Sequence, residues 1–158
     1  MTEVKRLGHV MLHVSNVQAS KEFYTRMLGV TVSAESADGR CVYLSLGEQH
    51  HDLALVEGAT GPRTTEQQPS LIHFAWQVED YEALKAAYYD LQAKGFTIKH
   101  TFQHNITDSI YVEDPDGMLV ELYCNRWDNG LEAMQTMGPR TDDLDIDTRV
   151  ATPRQPAR

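Results

Sequence analysis

Apolar positions along the chain change their period twice, in the same order each time. From Arg6 to Ser15 they alternate as in a strand, and Val17–Leu28 then carries Ala19, Phe23 and Met27 at helical spacing until Gly29 ends it. Two further alternating runs, Val30–Ala34 and Arg40–Leu46, are joined through Asp38-Gly39, a dipeptide suited to a tight hairpin because Gly accepts positive φ. His51–Glu57 completes a set of one helix and four strands. After the polar stretch Gly58–Ser70 the order returns. Leu71–Val78 reads as a strand, Asp80 as an N-cap, and Tyr81, Leu84, Tyr88 and Leu91 as the buried stripe of a helix closed by Gly95. Strands are then expected over Phe96–Phe102, Asp108–Val112 and Met118–Tyr123.

Laid over one another, the copies pair His9 with His73, Gly29 with Gly95, Tyr43 with Tyr111 and Gly47 with Gly117. The separation grows by small steps, as connections of unequal length require, and the same alignment sets His51 opposite Glu121. The fold class that follows is α+β: two βαβββ repeats, residues 5–57 and 71–125, forming curved mixed sheets around a cavity that contains a metal. Residues 1–127 are read as one domain and 128–158 as a polar C-terminal tail, a short helix through Met137 and then Gly138–Arg158, with too little apolar surface to fold alone and either disordered or packed across a partner subunit.

Strand alternation puts Val10, Leu12 and Val14 toward the first helix and His9, Met11 and His13 away from it. In the second copy Ile72, Phe74, Trp76 and Val78 face the helix while His73, Ala75 and Gln77 face away. Glu121 shares its face with Leu119 and Tyr123. Two histidines at matched positions and one carboxylate, each from a different strand, suit a metal centre of two imidazoles and one carboxylate with open coordination positions. His9, His73 and Glu121 are the candidate ligands. His13 and His50 are assigned to a rim or surface and His100 to a solvated strand position, while Tyr123 and Trp127 are candidates to close a substrate pocket or to pack in the core.

Fourteen Lys and Arg against twenty-three Asp and Glu give a formal charge of −9 on 158 residues, which argues against a nucleic-acid partner. No apolar run is long enough for a membrane span and the N-terminus has no secretory pattern, so a cytoplasmic protein is expected. Cys41 and Cys124 lie in apolar strands and are expected to be free thiols.

The stretch that begins at His104 and runs through Ile110-Tyr111 and Asp114-Pro115-Asp116-Gly117 to Glu121 resembles the signature of type I extradiol ring-cleaving dioxygenases. Phe102 departs from it, since a small or β-branched residue is favoured there. His51-Asp52-Leu53-Ala54-Leu55 is similar to a strand of the catechol-cleaving members. Both belong to the vicinal oxygen chelate superfamily, which also holds glyoxalase I and antibiotic-resistance proteins, and the resemblance covers roughly residues 5–125. It implies a single-domain enzyme that cleaves a catechol-type aromatic diol with O2 at an Fe(II) site, Mn(II) being the alternative metal. It also implies His51 as acid–base catalyst or fourth ligand, Tyr111 as hydrogen-bond donor to the substrate and His104 as its support. The alternatives are a glyoxalase-like metal isomerase, a thiol transferase, and a metal-free drug-sequestering protein. Exposed strand edges and the long tail further suggest a homo-oligomer.

Overall fold

The computed structural model describes residues 4–60 and 71–154; the linker 61–70 and the last four residues of the expected tail lie outside the described residues. Each repeat folds as a compact unit.

In the first unit the order is β1 (Val10–Val14), α1 (Val17–Leu28), β2 (Thr31–Glu35), β3 (Cys41–Ser45) and β4 (Leu53–Glu57). The sheet order is β1-β4-β3-β2, with β1 parallel to β4 and the remaining pairs antiparallel. Helix α1 begins where the Asn16 side chain accepts a hydrogen bond from Ala19 N–H. It stops at Gly29, whose φ of 70° turns the chain left-handed while its N–H closes on Thr25 O. The buried face of α1 is Val17, Ser20, Tyr24 and Met27, rotated from the expected Ala19–Phe23–Met27 stripe. The rotation follows from Tyr24, whose hydroxyl donates to Asp114 at 2.6 Å inside the core and so draws its own face inward. Asp114 belongs to the Asp114–Gly117 turn, which groups with this unit although it lies between two strands of the other. Asp116 of the same turn accepts from Ser15 N–H.

The second unit repeats the pattern with β5 (His73–Gln77), α2 (Tyr81–Ala93), β6 (Ile98–His104), β7 (Thr107–Glu113) and β8 (Leu119–Asn125). Asp80 caps α2 by accepting from Ala83 N–H, as its sequence position suggests. β5 runs parallel to β8, and Leu84, Leu91, Ile110, Val112, Val120, Leu122 and Cys124 form the core. Cys41 and Cys124 are both free thiols.

The polar tail is where expectation and structure part. The short helix is there as α3 (Gly130–Met137), but the residues after it do not stand outside the fold: they form β9 (Thr141–Leu144) and β10 (Ala151–Pro153), and the second sheet becomes β10-β9-β6-β7-β8-β5. A segment this polar cannot build its own core, but it can extend an existing one. β9 pairs with β6 over Phe102–His104, and Leu144 and Ile146 are buried. Its charged residues find partners in the unit: Lys85 and Tyr89 hold Asp147, Tyr81 donates to Ile146 O, and Arg149 reaches Asp108 at 2.8 Å. Asp108, fully buried, also takes Arg126 at 2.7 Å.

Candidate active site

The second unit holds a cavity of about 550 Å³. Register explains its polar end. In the parallel pair β5/β8, Ala75 stands beside Glu121, and across the antiparallel pair β7/β8, Tyr111 stands beside Glu121. The Glu121 side chain, 9% exposed, meets His73 with Oε2 at 3.0 Å from Nε2. The Tyr111 hydroxyl lies 3.1 Å from His104 Nε2, and His104 Nδ1 lies 3.0 Å from Thr141 Oγ1. Burial, and then the Glu121 carboxylate, push the Tyr111 phenol well above the usual tyrosine range. With Tyr111 donating toward Glu121, its oxygen accepts from His104 Nε2–H, and Nδ1 is left to accept from the Thr141 hydroxyl. His73, His104, Tyr111 and Glu121 therefore form one connected polar group on the cavity wall, and Tyr123 also lines it. Trp127 contributes instead to structure, donating its indole N–H to Asn105 O at 2.9 Å.

The first unit gathers His9, His50 and His51. The His51 ring centre lies 4.4 Å from His9, 4.3 Å from His50 and 5.1 Å from Tyr43. His51 Nδ1 shares a hydrogen with His50 Nδ1, while its Nε2 is buried without a hydrogen-bond partner among the described residues. Burial, then the neighbouring His50 and His9, hold His51 below the usual histidine range. His50 is thus part of the cluster with His51 as well as a rim residue.

Register corrects one expectation. Met11 pairs with Ala54 as Ala75 pairs with Glu121, and Tyr43 pairs with Ala54 as Tyr111 pairs with Glu121. The residue equivalent to Glu121 is therefore Ala54, and His51 sits just ahead of β4 in the connection from β3. That connection is longer than the Asp114–Met118 connection in the second repeat, and an alignment hung on Gly47 and Gly117 absorbs the extra residues inside the strand. Among the described residues no group of three His, Cys, Asp or Glu side chains is placed to hold an ion; the nearest approach is the pair His73 and Glu121.

Sequence reasoning missed Asn105, Met134 and Thr141, all on the cavity wall. Asn105 follows a flagged histidine and was within reach. The other two belong to the segment set aside as a tail.

The sequence profile of the Glyoxalase/Bleomycin resistance protein/Dioxygenase superfamily matches residues 6–122, and the chain belongs to that superfamily. The chain is 32% identical over 142 residues to biphenyl-2,3-diol 1,2-dioxygenase 2 of Rhodococcus globerulus, covering 88% of this chain and 73% of that one. It is also 32% identical over 124 residues to glutathione transferase FosA of Serratia marcescens, covering 76% and 81%. A glyoxylase/bleomycin resistance protein/dioxygenase domain from Frankia sp. EAN1pec shares the fold with a TM-score of 0.67 at 21% identity, covering 78% of this chain and all of that one. No helix among the described residues is long and apolar enough to cross a membrane.

Proposed function

We propose that the chain is an extradiol dioxygenase that opens a catechol-type ring beside its two hydroxyls, with His9, His73 and Glu121 holding Fe(II), or Mn(II) in its place. Two of the three donors, His73 and Glu121, are spaced as ligands of such an ion are. Two ligands at ~2.1 Å and a right angle stand about 3 Å apart, and His73 Nε2 and Glu121 Oε2 are separated by 3.0 Å. Ala54, at the position equivalent to Glu121, brings no fourth donor, so coordination positions remain for substrate. Bound there, the metal supplies a meeting point for the diol oxygens and O2 and a route for electrons from the ring to oxygen.

The observation that carries the reading is His51: a buried imidazole nitrogen without a partner, in ring contact with His9. A histidine beside the ligand but outside the donor set can take a proton from a substrate hydroxyl and return it later in the cycle. Tyr111, a phenol and so protonated at neutral pH, has one hydroxyl hydrogen, which it would turn from Glu121 to the substrate oxygen when the diol binds. His104, braced by Thr141, fixes the direction of that phenol. Both atoms of O2 end in a ring-opened semialdehyde. The likeness to biphenyl-2,3-diol 1,2-dioxygenase 2 supports this assignment.

The test is anaerobic loading with Fe(II), followed by oxygen uptake and the absorbance of the ring-opened product against a panel of catechols. The likeness to glutathione transferase FosA favours a second reading, metal-dependent thiol transfer. Turnover of a thiol without oxygen consumption would select that reading over the first. A homo-oligomer is part of the proposal and is read by sedimentation.

A further inference from the structure

Besides the polar group around Glu121, much of the cavity wall comes from the segment after β8. Gly130 and Met134 of α3, then Gly138, Pro139, Arg140 and Thr141, line it. This strap lies beyond the residues matched by the superfamily profile. It is fixed at several points to the β6–β7 hairpin. At its start Arg126 N–H donates to Ile106 O and the Trp127 indole to Asn105 O. At the end of α3 the Asn105 side-chain amide donates to Gly138 O at 2.9 Å and Met137 O at 3.3 Å. Beyond it β9 is zipped to β6, and Arg149 grips the same Asp108 carboxylate that holds Arg126. One hairpin and one buried carboxylate thus hold both ends of the strap, and the cavity-lining residues from Gly130 to Thr141 lie between them.

We propose that this strap is the selectivity wall of the pocket, that Met134 gauges the size of the group beside the diol, and that Asn105 is the positioning residue that keeps Met134 in place. The substrate named rests on the dioxygenase reading: a catechol bearing an uncharged apolar substituent, aryl or alkyl. Three observations point to it. The volume falls in the ~300–1,000 Å³ range of pockets that enclose drug-sized ligands, so a bare catechol leaves much of it unfilled. Met134 is the one apolar side chain of α3 on the cavity wall among the described residues and is 39% exposed, so an apolar group bound there has surface to cover. The charge of Arg140 is taken up by Asp142 at 2.8 Å, so the wall does not call for an anionic substituent.

The experiment compares the full chain with Met134→Trp, Met134→Ala, Asn105→Ala and, as a control on the same helix, Leu131→Trp, whose side chain is 69% exposed and does not line the cavity. Two readouts are taken: kcat and KM of the Fe(II)-loaded enzyme for catechol and for a phenyl-substituted catechol, and calorimetric binding of phenol and 2-phenylphenol to protein without added metal. The expected result is that Met134→Trp lowers the kcat/KM preference for the phenyl-substituted catechol by ~10-fold or more, the scale on which apolar pockets discriminate. Met134→Ala and Asn105→Ala should flatten the preference through KM, and Leu131→Trp should leave it unchanged. The same order in 2-phenylphenol affinity, with no oxygen uptake from any diol, would support the wall and overturn the dioxygenase reading. Equal effects of Met134→Trp on small and large ligands, or the same change from Leu131→Trp, would overturn the wall whatever the reaction.

Discussion

The two repeats share helix, strand order and register, yet they are not equivalent in chemistry. At one corner the first has Ala54 and the second Glu121, paired with His73. In the first, an imidazole without a partner on Nε2 stands just outside the strand; in the second, a phenol and an imidazole hydrogen-bond each other on the wall. The first sheet ends on β2, exposed throughout, while the second continues into β9 and β10. Duplication supplied a frame in which equivalent backbone positions can be given different side chains. The copies agree at His9 and His73 and differ where Glu121 and His51 stand.

The comparison breaks most severely at Glu121. Glu121→Ala should remove metal binding and bring oxygen uptake to background, with folding retained by circular dichroism, because it turns the second repeat's corner into the first's. Metal analysis after gel filtration checks it, and full iron occupancy in the variant would disprove the ligand assignment. Next in size is His51→Asn, for which turnover should fall by ~10²–10⁴ while iron content and diol affinity hold, the range for loss of an acid–base group. Loss of iron instead would make His51 a ligand.

Smaller effects bear on stability. Asp108→Asn takes one carboxylate from two arginines and should cost about 1–3 kcal/mol by urea denaturation, a range kept low because both arginines retain some solvent exposure. Protease sensitivity should rise first within residues 127–150. Tyr24→Phe should cost about 1.5–3 kcal/mol, the worth of a hydrogen bond to a charged acceptor. Tyr88→Phe at the matching place in α2, where the phenol receives only a bond from Gln92, should stay within about 0.5 kcal/mol. Tyr24 also bears on stability in alkali. Burial, and then Asp114, raise the Tyr24 phenol far above the usual tyrosine range. Above pH ~10 the unfolded chain therefore releases a proton that the folded chain keeps, and stability falls as pH rises. Tyr24→Phe should flatten that alkaline slope, and an unchanged slope would remove Tyr24 as its source.

Periodicity was enough for both βαβββ units because strand and helix periods differ sharply and the Asn16 and Asp80 caps and the Gly29 stop are local signals. His73, Glu121, Tyr111 and His104 were legible as a group since three of the four lie within one continuous motif. What escaped was settled by distance. The true face of α1 depends on a hydrogen bond from Tyr24 to a residue 90 positions away. The ordered tail depends on a carboxylate and a sheet edge it does not itself contain. The correspondence of Ala54 with Glu121 depends on strand pairing, which loop lengths disguise in a linear alignment.

The Asp114–Gly117 turn has a consequence for the order in which the molecule can be made. Residues through Glu57 supply all four strands and the helix of the first unit, yet the acceptors for Tyr24 and for Ser15 N–H arrive only with Asp114 and Asp116. During synthesis from the N-terminus, that unit emerges with all its strands and its helix before the Asp114 carboxylate that Tyr24 donates to, and it reaches its final packing only after β7 has been translated. The halves of this chain are thus alike in architecture but unequal in self-sufficiency: cut between the repeats, the first half would be without the Asp114–Gly117 turn that groups with it.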